Sequence, residues 1–299
     1  MNVLVTGGAG YIGSELVSTL NKLDSIDKII VYDNLSCKQY NLFYGRDHLD
    51  KVEFILGDIL DTEKLNQAIK DVQIVIHLAA FVSEPFNHLQ NLQYEQVNTW
   101  GTLNVVRAIQ NSKTVKAALY LSSLSVYGFR ENIDLEKDKP APENGYGVSK
   151  LKGEDYFKLL NDFCEYSILR SANVFGFNNF LGTEGVLNTF IFDTLVYQNI
   201  KIYGTGNQYR PFIFIDNLIL KIVNQVKSAS SVELIGIDFN ATMNELKDWL
   251  MIKSPSTSYM YINQNQEFPS QSFKIDTENM EIELEKAWES FNNLLTIKK

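Results

Sequence analysis

A glycine-rich turn near the start of the chain restricts the fold more than any other feature. Thr6-Gly7-Gly8-Ala9-Gly10-Tyr11-Ile12-Gly13 separates a short apolar strand, Val3-Leu4-Val5-Thr6, from a helix carrying Leu16, Val17 and Leu20. Glycine is needed where a strand turns tightly into a helix and where backbone approaches another group closely. The helix start then offers amides and the positive end of its dipole to an anion. Gly8, Gly10 and Gly13 satisfy GxGxxG spacing, a pattern that also arises for packing alone. Asp33 makes it specific. It ends the second strand, 20 residues after Gly13, where a carboxylate takes the adenosine ribose hydroxyls of a dinucleotide. Asn34-Leu35-Ser36 follow without an arginine to receive a 2′-phosphate, which favours NAD over NADP. Asp58, after the third strand in Leu56-Gly57-Asp58-Ile59, either hydrogen-bonds the adenine amino group or caps a turn.

The rest of the first half repeats the strand-helix rhythm. Strands are expected at Lys28–Tyr32, Val52–Leu56, Ile74–Leu78, Ala117–Ser122 and Tyr166–Leu169, and helices at Glu63–Lys70, Leu92–Asn111 and Ser149–Asn161. The Ile74-Val75-Ile76 run is apolar enough to be buried on both faces. Such alternation builds right-handed βαβ units and a parallel sheet. The fold class is therefore α/β, a Rossmann-type doubly wound parallel sheet with a smaller C-terminal α/β domain. Residues 1–170 form the dinucleotide-binding domain, with a returning segment near 211–230, and 171–299 are mainly the substrate domain. After residue 170 the rhythm breaks. Phe175–Gly185 reads as a loop, Val186–Gln198 as a helix, Pro211–Ile215 as a strand, Asn217–Lys227 as a helix, Glu281–Asn293 as a last helix and Asn263–Gln266 as a solvated loop.

Bulk properties exclude several classes. The 299 residues carry a net charge of −9, which repels polyanions, so neither nucleic acid nor an anionic membrane is an expected partner. No apolar run approaches the length of a membrane span. Met1 leads directly into a strand with no leader-like segment, and Cys37 and Cys164 form no disulfide framework; a reducing cytoplasm is the expected compartment. His48, His77 and His88 show no metal-ligand spacing, so no metal is expected. His77, inside an apolar strand, reads as a core histidine, and Tyr127 as a packing residue.

Tyr146 and Lys150 form a Tyr-x-x-x-Lys pair whose i,i+4 spacing puts both side chains on one helix face. A tyrosine works as a base at neutral pH only if its pKa falls by roughly three units, about 4 kcal/mol. A lysine ammonium and an oxidised nicotinamide ring together can supply that.

With this pair the chain resembles the extended short-chain dehydrogenase/reductases, in particular their nucleotide-sugar epimerase/dehydratase branch. The resemblance rests on Thr6–Gly13, His77-Leu78-Ala79-Ala80, Ser122-Ser123-Leu124-Ser125-Val126-Tyr127-Gly128 and Tyr146-Gly147-Val148-Ser149-Lys150. It continues through Leu169–Gly176 and Gly204-Thr205-Gly206-Asn207-Gln208-Tyr209-Arg210, about the first 220 residues. It implies catalysis by Ser123, Tyr146 and Lys150. It implies that NAD is held by Gly7, Gly10, Tyr11, Ile12, Gly13, Asp33, Asn34, Asp58, Ile59, Leu78, Ala79, Ala80, Asn98, Tyr146 and Lys150. Asn98 resembles the asparagine that fixes this region from the long helix. A nucleotide-diphosphate sugar is the implied substrate, with Ser83, Ser123, Ser125 and Tyr146 toward the sugar, and Asn173 and Arg210 on the diphosphate. Phe81, Val82, Ser83, Glu84 and Phe175–Gly182 follow strand ends and are expected to line the sugar pocket.

Family 4,6-dehydratases carry Asp-Glu directly after the catalytic threonine, and the decarboxylases carry glutamate where Ser125 stands. Leu124-Ser125 disfavours both and resembles the 4-epimerases, which oxidise C4 to a transient keto-sugar and reduce it on the other face. The alternatives are a reductase or dehydrogenase of a nucleotide-linked keto-sugar using NAD(P), and a non-catalytic dinucleotide sensor, against which the retained Ser123, Tyr146 and Lys150 argue. The chain departs from the family pattern at Phe177, at Pro211, and at Phe268-Pro269-Ser270, where a second phosphate-gripping arginine would be expected. Family members often form homodimers through the helices near Leu92–Asn111 and Ser149–Asn161. Val105, Val106 and Ile109 fit either that interface or an intramolecular core.

Overall fold

The computed structural model describes residues 1–38, 40–44, 48–82, 91–177, 185–263, 268–275 and 279–296. The strands are β1 (Asn2–Thr6), β2 (Lys28–Asp33), β3 (Val52–Leu56), β4 (Ile74–His77), β5 (Ala117–Ser123), β6 (Glu165–Ser171), β7 (Asn173–Phe175), β8 (Asn199–Tyr203), β9 (Tyr209–Phe214), β10 (Val232–Gly236), β11 (Phe239–Thr242) and β12 (Ser258–Ile262). The helices are α1 (Tyr11–Asn21), α2 (Asn41–Tyr44), α3 (Thr62–Ala68), α4 (Asn91–Gln93), α5 (Thr102–Asn111), α6 (Gly145–Lys158), α7 (Val186–Val196), α8 (Ile215–Ser228), α9 (Met243–Lys253) and α10 (Met280–Thr296). A π-helical segment, Tyr94–Gly101, joins α4 to α5, and a 3-10 turn, Leu124–Tyr127, follows β5. Among the described residues no helix is long and apolar enough to cross a membrane.

Two compact units result. The first takes Met1–Val126, Pro142–Ser171 and Ile219–Gly236; the second takes Tyr127–Ala141, Ala172–Leu218 and Ile237–Lys299. Tyr127–Ala141 thus belongs to the second unit although it lies within residues 1–170, and the segment that returns to the first unit is Ile219–Gly236 rather than 211–230.

In the first unit a seven-stranded sheet runs in the order β10-β6-β5-β4-β1-β2-β3, with every neighbouring pair parallel. The connections run to opposite sides from β1 and β4, which makes the gap above these strands the topological switch point where Rossmann sheets bind ligands. β4 is buried along its whole length and β1 along all but its first residue, as expected of strands covered by helices on both faces. Val105, Val106 and Ile109 of α5 are at most 2% exposed and pack with Leu4, Val75 and Tyr120 in the core. They are therefore intramolecular core and lend no support to a subunit interface.

α6 begins at Gly145, earlier than the sequence pattern suggests, because Asn144 caps it. The Asn144 side chain accepts the Gly147 amide at 2.7 Å. Two glycines let the first loop close. Gly7 has φ +70°, and a Cβ there would lie 2.6 Å from the Ala79 amide nitrogen after β4. A Cβ on Gly13 would lie 2.4 Å from the Gly7 carbonyl oxygen.

The second unit holds a three-stranded sheet, β11-β9-β7, and a parallel β8–β12 pair. Phe175, Phe212, Phe214 and Phe239 form its aromatic core, with Phe175 5.5–6.1 Å from the other three ring centroids. Phe175 is 1% exposed, so it is core and not the pocket-lining residue expected from sequence.

Gly13→Ala forces the added methyl into the backbone of Gly7 and Gly8. Overpacking of this kind costs about 1–3 kcal/mol. The thermal midpoint is expected to fall and NAD affinity to fall with it; a variant with unchanged midpoint and affinity contradicts this packing.

Candidate active site

The residues between Gly7 and Ala80 that are expected around the dinucleotide follow the carboxyl ends of β1 to β4. The α1 N-terminus carries no acidic residue in its first turn and no side-chain cap at Gly10, leaving its positive end suited to a pyrophosphate. Asp33, at the end of β2, accepts the Ala9 amide through Oδ2 at 3.0 Å and the Leu35 amide through Oδ1 at 2.8 Å. A carboxylate has about four acceptor positions, so both oxygens retain capacity for ribose hydroxyls. These features fit NAD. Asp58 accepts the Leu60 amide at 2.9 Å and the Asn34 side-chain amide at 2.9 Å, so it does serve as a turn cap. Ile59 is buried, and its carbonyl accepts from Asn104 at 3.2 Å. The Leu78 amide donates to the Thr6 carbonyl at 3.0 Å, which puts Leu78, Ala79 and Ala80 beside the glycine loop.

His77 is fully buried. Its Nδ1 lies 2.6 Å from Thr6 Oγ1 and its Nε2 3.0 Å from Thr102 Oγ1. Burial, with the nearby Lys150 ammonium, pushes its pKa down to about 3, so it is a neutral brace from β1 to α5. Tyr127 is likewise buried, edge-on to Phe273 at 5.7 Å.

Asn98 sits in the π-helical segment and is 1% exposed. Its Oδ1 accepts the Phe81 amide at 2.7 Å, and its Nδ2 donates to the Phe81 carbonyl at 2.9 Å and to Ser149 Oγ at 3.0 Å. Ser149 Oγ donates in turn to the Tyr146 carbonyl at 2.8 Å. Asn98 thus ties the segment after β4 to the helix turn that carries Tyr146.

Ser123, Tyr146 and Lys150 come together at the end of β5 and the start of α6. Burial pushes the Tyr146 phenol up to about 12, the Ser123 hydroxyl hydrogen-bonded to it pulls it back, and Tyr94 beside it pushes it up. The direction is opposite to the fall the sequence argument requires, because the protein groups alone do not bring enough positive charge to the ring. Tyr94, 5.9 Å from Tyr146 between ring centroids, was not singled out from sequence; its only sequence signal is its place one turn before Asn98. Lys150 is 3% exposed, and its ammonium donates to the Leu121 carbonyl at 2.5 Å and lies 4.5 Å from the Tyr120 ring centroid. Burial pushes its pKa down to about 7, against the opposing pull of Glu154. Ser125 donates its amide to Ser123 Oγ at 3.2 Å, and its own hydroxyl is buried with no hydrogen-bond partner among the described residues.

In the second unit, Asn173 is exposed and donates to the Pro211 carbonyl at 2.9 Å. Arg210 donates through Nη1 to the carbonyls of Tyr209 and Pro269, and burial pushes its pKa down to about 10. The Ser270 hydroxyl accepts the Tyr209 amide at 3.1 Å. The Phe268-Pro269-Ser270 segment therefore braces Arg210, which is a structural reason for its presence where the family pattern suggests another arginine. Phe81 is half-buried and Val82 is 59% exposed. Ser83, Glu84, His88, residues 178–182 and residues 264–266 lie outside the described residues.

The chain is similar in sequence and fold to known proteins. The pattern of the NAD dependent epimerase/dehydratase family matches residues 3–237. A putative UDP-glucose 4-epimerase of Methanocaldococcus jannaschii is 34% identical over 254 residues, covering 82% of this chain and 80% of its own. A dTDP-D-glucose 4,6-dehydratase of Dictyostelium discoideum is 31% identical over 79% of this chain and 58% of its own. Among solved structures, a UDP-N-acetylglucosamine 4-epimerase from Methanobrevibacter ruminantium M1, in complex with UDP-N-acetylmuramic acid, has a TM-score of 0.82 at 26% identity, covering 98% of each chain. A UDP-glucuronic acid 4-epimerase from Bacillus cereus, in complex with UDP-glucuronic acid and NAD, shares the fold with a TM-score of 0.84 at 23% identity, covering 98% of this chain and 100% of that one.

The burial of Lys150 has a testable cost. A pKa near 7, against an ordinary value of 10.5, corresponds to roughly 5 kcal/mol against the charged form. The unfolded chain keeps its proton up to about 10.5, so the penalty is full below pH 7 and fades as pH rises toward 10.5. Lys150→Met is expected to be inactive yet more stable at pH 6 by about 1–3 kcal/mol, after allowance for the Leu121 carbonyl left unpaired. Denaturation across this pH range should show the gap closing; a gap independent of pH contradicts the assignment.

Proposed function

The chain belongs to the NAD dependent epimerase/dehydratase family, and from that premise we propose that it interconverts nucleotide-linked sugars that are epimeric at C4. The observation that carries the reading is the end of β5. Ser123 is hydrogen-bonded to Tyr146 there, and the next two residues, Leu124 and Ser125, bring no carboxylate to the sugar. Leu124 is 1% exposed and packs inward. Elimination of water from the sugar needs a general acid and base beyond Tyr146, and this strand end supplies none.

NAD, when bound, supplies the two-electron oxidation of the sugar carbon and its re-reduction. The protein residues handle the proton and the geometry. Tyr146 takes the C4 hydroxyl proton and returns it, and Ser123 holds the same oxygen by a hydrogen bond. Lys150 holds the ribose hydroxyls and adds positive charge near the phenol. At about 12 the phenol is protonated at neutral pH, so its base form requires further positive charge beside the ring. In the second unit, Asn173 and Arg210 are the residues we assign to the substrate diphosphate; the carbonyls that fix Arg210 support that role. UDP-linked sugars, which name several relatives, are the first substrates to test.

Two further assignments belong to the same reading. A reducing cytoplasm suits Cys37 and Cys164, which lie in no disulfide among the described residues. A homodimer is supported by exposed apolar side chains on the elements the family uses, with Leu92 63%, Trp100 54% and Leu159 54% exposed. Sedimentation at micromolar concentration is expected to give twice the chain mass, and a monomer there removes the assignment.

Incubation with UDP-, GDP- and dTDP-sugars is expected to yield a C4 epimer with no net change in NADH. Tyr146→Phe should lower turnover by about 10²–10⁴-fold. Stoichiometric gain or loss of NADH would instead establish a dehydrogenase or reductase, and full turnover by Tyr146→Phe would remove the proposed chemistry.

A further inference from the structure

A buried charged pair touches the elements that carry the reacting groups. Glu154 on α6 has no exposed surface, and Arg170 on β6 is 6% exposed. Glu154 Oε1 accepts from Ser122 Oγ at 2.5 Å and from Arg170 Nε at 2.9 Å, while Oε2 accepts from Arg170 Nη2 at 2.6 Å. Arg170 also reaches Glu233 Oε2 on β10 at 3.0 Å. A two-pronged guanidinium-carboxylate contact is directional as well as strong. Its burial makes it a poor source of net stability, because desolvation of both charges offsets their attraction. Its location therefore calls for another explanation.

Three consecutive residues of β5 are tied to three positions of α6 spaced one helical turn apart. The Leu121 carbonyl accepts from Lys150, the Ser122 hydroxyl donates to Glu154, and the Ser123 hydroxyl is hydrogen-bonded to Tyr146. Tyr146, Lys150 and Glu154 follow the i, i+4, i+8 spacing that keeps them on one face. The central tether is the one whose acceptor is itself fixed, by Arg170. We propose that Glu154, held by Arg170, is a positioning residue that locks Tyr146 and Lys150 in register with Ser123 and keeps Lys150 a cation. This rests on the roles of Tyr146 and Lys150 in the reading above.

The electrostatic half follows from what surrounds Lys150. On its own helix it faces Tyr146 and Glu154; from β5 the Tyr120 ring; from β4 His77; and from β6 Arg170, beyond Glu154. Of these groups only Glu154 is a carboxylate. Removing its charge loosens the Lys150 proton. Removing Arg170 leaves the Glu154 charge less compensated and tightens it. The two changes act in opposite directions, whereas two equivalent losses of packing would act alike.

The test is a titration of ε-13C-lysine-labelled protein with NAD bound, the Lys150 resonance being identified by its loss in Lys150→Met. Glu154→Gln is expected to lower the Lys150 pKa by about one unit or more, and Arg170→Gln to raise it. The alkaline limb of kcat/KM should move in the same directions. Ser122→Ala, which changes no charge, should leave the lysine titration in place and lower kcat about 3- to 10-fold with little change in KM, as loss of one tether of about 1 kcal/mol would by transition-state arithmetic. If Glu154→Gln does not fold, Arg170→Gln and Ser122→Ala carry the test. A Lys150 titration that stays put in the folded charge variants, or shifts the same way in both, overturns the electrostatic role. Undiminished kcat in Ser122→Ala overturns the register role. Loss of the reading above would show separately, as full turnover by Tyr146→Phe, and would leave the lysine titration interpretable.

Discussion

The ammonium of Lys150, enclosed against the end of β5, is the constraint to which its neighbours are fitted. A charge in that position costs free energy unless its surroundings answer it. The Leu121 carbonyl, the face of the Tyr120 ring and the carboxylate of Glu154 do so. His77 stays neutral, both ring nitrogens engaged by threonine hydroxyls, and stacks with Tyr120 and Phe157 at centroid distances of 5.5 and 6.0 Å. The apolar strands β4 and β5 and the helix α6 thus enclose a polar seam. Within that seam the surroundings decide both the protonation of Lys150 and the orientation of the reacting hydroxyls.

The second organising contact is the approach of the β1 loop to the segment after β4. Glycine at position 7 permits a separation that no side chain allows, and the Leu78 amide closes onto Thr6 beside it. The carboxylate of Asp33 holds Ala9, so the loop is fixed from β2 as well as from β4. Few of these interactions are large singly. Their joint effect is preorganisation: amides and dipole ends are already oriented before a ligand arrives, which lowers the cost of binding it.

Much of the first unit was legible in the sequence because its signals are local. Apolar runs, the glycine turn, the aspartate after β2 and the tyrosine-lysine spacing all lie within a few residues of what they specify. What escaped has non-local causes. β10 joins the sheet beside β6 from far along the chain, and nothing within Val232–Gly236 announces its partner. Glu154 looks like an ordinary surface carboxylate one turn after a lysine until Arg170 and Ser122 are seen to close over it. Val105, Val106 and Ile109 gave a pattern that suits a subunit interface and a core equally, and only their burial assigned them to the core. Phe175 followed a strand end, as pocket residues do, yet three phenylalanines enclose it. Tyr146 was legible as a reacting group but its proton affinity was not, since that depends on Tyr94 and on burial.

The π-helical segment Tyr94–Gly101 has a consequence for how such chains change by insertion and deletion. A π turn accommodates one residue more than the α-helix around it and is often retained where a function uses the displaced side chain. Removing a single residue from this segment would restore regular winding, a local gain in backbone geometry. Because the extra residue is absorbed within a turn, the helix on either side would keep its phase, and what would be lost is the displacement of the side chains within the turn. Val105, Val106 and Ile109 would still face the core, but Asn98 would lose the displaced position from which it meets Phe81 and Ser149. The segment thus lets one continuous helix satisfy a local requirement at Asn98 without disturbing the packing of the turns around it. Length within it is therefore less free to vary than its identity as an ordinary helix would suggest.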